Sequence, residues 1–173
     1  MNGRKAKKII ESICYNEDGF VTFKGQKVEM MGQGSFRQVY DLPGTGCIVK
    51  VNYEDCEDQC GSEWKSYIAL RKTQFRGNLV KQFKPFVKTN HDGEEVTMSI
   101  HRKVKGLTVY AASSPEISEQ FDILANRLMG AGLDDVHDEN VMVSRDKKTR
   151  RRKNLQFKVV DMGCNWGNWG NNT

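Results

Sequence analysis

The sequence predicts an α+β protein, and three observations carry that expectation. Short β-rich runs broken by glycines fill the stretch from Phe20 to Val51. Apolar residues at helical spacing recur around residues 4–14, 57–72 and 117–128. Two further apolar strands flank a run of basic residues between Val141 and Val160. At 173 residues the chain is one domain, or two small lobes sharing one cleft.

Taken in order, Ala6, Ile9, Ile10 and Ile13 form the stripe of an amphipathic helix over about 4–14, ended by the Asn16-Glu17-Asp18-Gly19 turn. Strands follow at Phe20 to Phe23, Val28 to Met31, Val39 to Leu42 and Cys47 to Val51, with Pro43-Gly44-Thr45-Gly46 joining the last two as a hairpin. Glu57 to Lys72 reads as a helix whose stripe is Trp64, Tyr67, Ile68 and Leu70. Val80 to Val87 and Val96 to His101 read as strands around the turn Asn90-His91-Asp92-Gly93. Ser113-Ser114-Pro115-Glu116 opens a helix whose apolar face is Ile117, Phe121, Leu124 and Leu128, and Gly130 and Gly132 stop it. Val141 to Ser144 and Leu155 to Val160 are the last strands.

Hydrophobic content of 38% supports a packed core, and no apolar run approaches the length of a membrane helix, about 20 residues. The basic start, Met1 to Lys8, has no long apolar stretch behind it, so a secretory signal is not expected. Cys14, Cys47, Cys56, Cys60 and Cys164 are odd in number and show no Cys-x-x-Cys pair, which points to reduced thiols in a cytoplasmic setting. The net charge of +5 gathers in two runs, one from Arg4 to Lys8 and one from Lys147 to Lys153. The second run is either the solvated tip of a hairpin or a surface for an acidic partner. Neither run is interleaved with aromatic residues, so nucleic acid ranks last among partners.

Three segments read as parts of a phosphoryl-transfer site: Gly32-Gln33-Gly34-Ser35, Asp135 through Asn140, and Asp161-Met162-Gly163. Gly32 and Gly34 lie between two strands, where a backbone free of Cβ atoms can approach phosphate oxygens. Alone, Gly-x-Gly reads as a simple hairpin. Val39 lies five residues past Gly34, and Lys50 then sits inside the apolar strand Ile48 to Val51. Pointing inward, that lysine requires an anion, either nucleotide phosphates or a carboxylate on the next helix. Glu63 is the chosen carboxylate, with Glu57 and Asp58 as competitors. Asp135 can accept a hydroxyl proton or orient a nucleophile, and Asn140 and Asp161 can offer oxygens to Mg²⁺. His137 braces the loop. Turn chemistry alone also favours Asp and Asn at such places.

The order of these parts, with Met31 to Phe36, Ile48-Val49-Lys50-Val51 and Asp135-Val136-His137 through Asn140, resembles the protein-kinase-like superfamily over roughly 30–164. Within it, the chain is most similar to the serine/threonine kinases of T7-like bacteriophages, and Asp-x-His-x-x-Asn is also similar to aminoglycoside phosphotransferases. The resemblance implies a bilobal fold, with a β-rich N-lobe and its N-terminal helix at 1–101 and a hinge with a strongly reduced C-lobe at 102–173. It implies ATP and Mg²⁺ as cofactors and transfer to Ser or Thr hydroxyls of a protein or of the chain itself, in host cytoplasm if the chain is viral. It assigns Gly32, Gly34, Ser35 and Val39 to nucleotide binding, Lys50 to the α- and β-phosphates, and Glu63 to fixing Lys50. It makes Asp135 the catalytic aspartate and Asn140 and Asp161 the metal ligands, with the backbone of Arg102 to Val104 as the hinge that meets adenine.

The chain departs from the family pattern in three places. Arg37 stands where a third glycine is usual, the 13 positions from Lys50 to Glu63 are few, and only ten residues follow Gly163. An activation segment and a peptide-docking lobe are therefore expected to be absent, with Trp166 and Trp169 either capping the apolar face those helices would cover or binding a partner. Two rivals stand beside the kinase: a non-catalytic kinase-like binding module and a small-molecule kinase.

Overall fold

The computed structural model describes residues 3–16, 20–53, 58–89, 93–112, 114–133, 135–145 and 155–162. Among these the protein is mixed α+β, with three α-helices and antiparallel sheets. No helix of the described residues is long and apolar enough to cross a membrane. The chain divides into two compact units, Met1–Trp64 with Lys81–Lys103, and Lys65–Val80 with Val104–Thr173.

The first unit opens with α1 (Gly3–Glu11), which buries Ala6 and Ile9. The helix is shorter than its stripe predicts. Ser12 ends it by folding its hydroxyl back on the Lys8 carbonyl at 2.9 Å, and Ile13 begins β1 (Ile13–Tyr15) instead. Ile13 is fully buried there, so it suits the helical stripe and the strand equally. β1 pairs with β2 (Val21–Phe23), which pairs with β3 (Gln26–Lys27). Lys24 and Gly25, at φ of 54° and 75°, make a two-residue turn with both residues left-handed, the form that matches strand twist.

The larger sheet runs β4 (Met30–Gln33), β5 (Arg37–Leu42), β6 (Cys47–Asn52), β8 (Glu95–Arg102), β7 (Phe86–Thr89) in spatial order. The turn before β6 needs glycine: Gly44 and Gly46 both have φ of 71°, and the Thr45 hydroxyl donates to the Leu42 carbonyl at 2.7 Å. Expected strands at 28–31 and 80–87 are replaced by β3 and β4 and by β7. Residues 79 and 82 make only isolated bridges, Leu79 to Val159 and Gln82 to His101.

Alternation decides which side of this sheet holds the core. Tyr40, Leu42, Val49, Val51, Met98 and Ile100 face one way, into an apolar cluster shared with Ile9, Ile13 and Val21. Arg37, Lys50, Asn52, Ser99 and His101 alternate with them and are nevertheless buried. The division between the units falls within α2 (Gln59–Leu70), whose residues to Trp64 count with the first unit.

The second unit contains the rest of α2, a 3₁₀ turn (Gln74–Gly77), β9 (Leu107–Thr108), α3 (Pro115–Met129), β10 (Val141–Arg145) and β11 (Leu155–Val159). The Ser114 side chain caps α3 by accepting from the Ile117 N–H at 3.3 Å, and Pro115 opens the first turn. At its other end, Gly132 at φ 86° sends its N–H to Met129 while Leu133 reaches back to Leu128, the Schellman arrangement. The buried face of α3 joins Val141, Val143, Phe157 and Val159 in one core. Leu70, Phe75 and Leu79 are buried in that same core, which is why 65–80 groups with this unit and not with the segments expected beside it.

Candidate functional site

In the first unit, register sets up a polar row on the sheet. Val39 lies opposite Lys50, and Lys50 lies opposite Ser99. Their side chains therefore share a face. Over that face α2 supplies Glu63, whose side chain is 1% exposed. Lys50 Nζ donates to Glu63 Oε1 at 3.0 Å and to Oε2 at 3.1 Å. The inward lysine and the chosen carboxylate meet. Asp58 is engaged elsewhere, accepting from the Gly61 N–H at 2.8 Å, and Glu57 lies outside the described residues.

Three further groups join this network, and none of them is named as its member from the sequence alone. Arg37 Nη1 donates to Glu63 Oε2 at 2.6 Å. His101 Nε2 lies 3.7 Å from the same oxygen and 2.8 Å from Ser99 Oγ. Cys60 Sγ is 3.1 Å from Asn52 Oδ1. Burial pushes the Cys60 thiol up to about 11, with the Ser99 hydroxyl hydrogen bond pulling the other way. Burial likewise raises Tyr40, whose hydroxyl donates to Gln38 Oε1 at 2.7 Å, and the neighbouring Tyr53 adds to the rise. The signal for the polar row was available in β8, where Ser99 and His101 occupy alternate positions among buried apolar residues.

The glycine segment forms the β4–β5 hairpin. Gly34 N–H donates to the Arg37 carbonyl at 2.8 Å, with Ser35 and Phe36 exposed at the tip. Neither Gly32 nor Gly34 has positive φ, and a Cβ at either would meet nothing within 4 Å. The described fold thus makes no demand for glycine here. Arg102 ends β8, with its N–H on the Lys81 carbonyl at 2.8 Å; Lys103 N–H is on the Gly46 carbonyl at 2.9 Å. Val104 follows, half-buried, at the start of a second-unit segment.

In the second unit, Asp135, His137, Asn140 and Asp161 are neighbours. The Asn140 amide nitrogen donates to Asp135 Oδ2 at 3.4 Å and to its carbonyl at 3.5 Å. His137 Nε2 lies 3.6 Å from Asp135 Oδ1, both side chains being about half exposed. Asn140 O accepts from Val160 N–H at 2.9 Å and from Asp161 N–H at 3.5 Å, which ties the loop to the end of β11.

Among the described residues, no three His, Cys, Asp or Glu side chains are grouped to hold a metal ion. Asn140 and Asp161, brought together by the Asp161 N–H on the Asn140 carbonyl at 3.5 Å, each carry a hard oxygen in the side chain. That set fits Mg²⁺, which is commonly held by one or two protein oxygens with water and phosphate completing the shell. Gly163, the Lys147 to Lys153 run, Trp166 and Trp169 lie outside the described residues. No protein-family model matches this chain, and no curated protein matches it.

Proposed function

We propose that this protein is an ATP-dependent phosphotransferase of protein-kinase type, acting on Ser or Thr hydroxyls of a protein, itself included. In this reading the first unit is the N-lobe and the second a reduced C-lobe. The observation that carries it is the buried Lys50–Glu63 pair, at 3.0 and 3.1 Å from the two carboxylate oxygens. Burying such a pair is expensive and offers little stability over apolar packing, so a functional demand accounts for it better than a structural one. The two unconstrained glycines beside Val39 add to this, since a ligand's approach supplies the reason for glycine that the fold does not.

Each chain residue has a definite task. Glu63 fixes the Lys50 ammonium, which would hold the α- and β-phosphates. Gly32, Gly34 and Ser35 would let the hairpin backbone close on phosphate, and the backbone at Val104 would meet adenine. Asn140 and Asp161 would hold Mg²⁺, and MgATP supplies the phosphoryl group with part of its charge already neutralised. Asp135 accepts the proton of the attacking hydroxyl, and the Asn140 amide and His137 keep its carboxylate aimed.

Incubation with radiolabelled ATP, Mg²⁺ and a generic protein substrate tests the proposal. Label transfer is expected from the natural chain, with a loss of at least about 100-fold in Lys50→Met, Asp135→Asn and Asp161→Ala. Undiminished transfer by Asp135→Asn or Asp161→Ala overturns the assignment. Saturable ATP binding without transfer would instead identify a kinase-like binding module, and transfer to small alcohols alone a small-molecule kinase.

A further inference from the structure

Glu63 is not served by Lys50 alone. Its Oε2 lies 2.6 Å from Arg37 Nη1, closer than either of its oxygens is to the Lys50 ammonium. The Arg37 side chain is 9% exposed and that of Glu63 1%. The same arginine closes the glycine hairpin through its backbone, its carbonyl accepting from Gly34 N–H at 2.8 Å. One residue therefore touches both the loop and the carboxylate that the phosphotransferase reading assigns to nucleotide binding.

A conflict inside that reading gives this contact its meaning. Lys50 has to face a phosphate, yet it also compensates a buried carboxylate. Drawing the ammonium toward a ligand would strip charge from Glu63, and a buried ion that loses its counter-ion is heavily destabilised. A guanidinium is always protonated, and its planar fork holds a carboxylate oxygen in a fixed direction. With Arg37 on Oε2, Glu63 stays compensated while Lys50 is shared.

We propose that Arg37 is a positioning residue for phosphate binding: it is the second counter-ion of Glu63, and it frees Lys50 to engage a nucleotide's phosphates. This rests on the phosphotransferase reading. It predicts an effect confined to the phosphate part of the ligand. Removing the guanidinium leaves Lys50 held by Glu63 and weakens ATP and ADP, whereas adenosine, lacking phosphate, is spared.

Calorimetric titration of the natural chain, Arg37→Met, Arg37→Gln and Arg37→Lys with MgATP, MgADP and adenosine tests this. Arg37→Met and Arg37→Gln are expected to lose roughly tenfold in affinity for ATP and ADP while adenosine shifts less than about twofold. Arg37→Lys should recover part of the loss, because it restores charge but not the fork. In a Glu63→Gln background, Arg37→Met should change ATP affinity by less than about twofold, the carboxylate it serves being gone. Equal losses for ATP and adenosine would make Arg37 a structural residue and overturn the proposal, as would unchanged ATP affinity. Should both neutral variants fail to fold, Arg37→Lys decides: its ratio of ATP to adenosine affinity falls about threefold if the proposal holds and stays level if it does not. Failure of the natural chain to bind MgATP would sink the phosphotransferase reading itself, a result distinct from either.

Discussion

Cys60 shows how strongly a single side chain feels the buried polar row. It is fully buried on α2, 3.1 Å from Asn52 Oδ1 and 3.4 Å from Ser99 Oγ. Burial raises its thiol from near 9.0 to about 11. Between those values the unfolded chain has released a proton that the folded protein keeps, so stability falls as pH rises through this range. Over two pH units the loss is roughly 3 kcal/mol. Urea titrations at pH 8 and pH 11 should show that decline, and Cys60→Ser should lack this part of it. Equal declines in both proteins would show that the thiol does not contribute. Lys50 was legible at this scale because a lysine among Ile48, Val49 and Val51 stands out. The Arg37–Glu63 contact was not, since the sequence marks Arg37 only as standing where a third glycine is usual, and it takes the sheet register to turn it toward Glu63.

At the scale of elements, legibility followed the strength of local signals. α3 was readable end to end, because a cap, a proline, an unbroken apolar face and two glycines all agree. Its cap permits a direct check: Ser114→Ala removes the acceptor of the Ile117 N–H and should cost about 1 kcal/mol by urea denaturation, with Ser114→Asp retaining most of it. A cost near zero would mean the N–H finds water equally well. The N-terminal helix was overextended because Ile13 satisfies both periodicities, and only pairing with Phe23 settles it as a strand. β9 was missed because its two residues, Leu107 and Thr108, carry no periodicity; β10 dictates them by pairing at Val143 and Met142. Strand 80–87 failed for a related reason. Its apolar residues are distributed between two units, and only Phe86 onward enters the ladder.

Over the whole molecule, mixed α+β architecture was legible, and the discontinuous grouping of the chain was not. Local patterns say which residues are buried but not which core receives them. Leu70, Phe75 and Leu79 are within 6% of full burial, in a core otherwise drawn from residues 109–162. A fragment of residues 104–173 therefore lacks part of its own interior. By circular dichroism it should show no cooperative melting, and adding a chain that begins at residue 65 and keeps the intervening segment should restore one. A sharp transition in the short fragment would contradict the grouping. The same contacts set a timetable for a chain emerging from a ribosome. Asn78 bonds to Phe157, 79 positions downstream, and Leu79 bridges to Val159. The first unit has all its residues once Lys103 has been made, whereas Leu70, Phe75 and Leu79 must wait for β11. During that interval a greasy segment is left without its final strand, and a translation pause after Lys103 would expose it to chaperones and proteases.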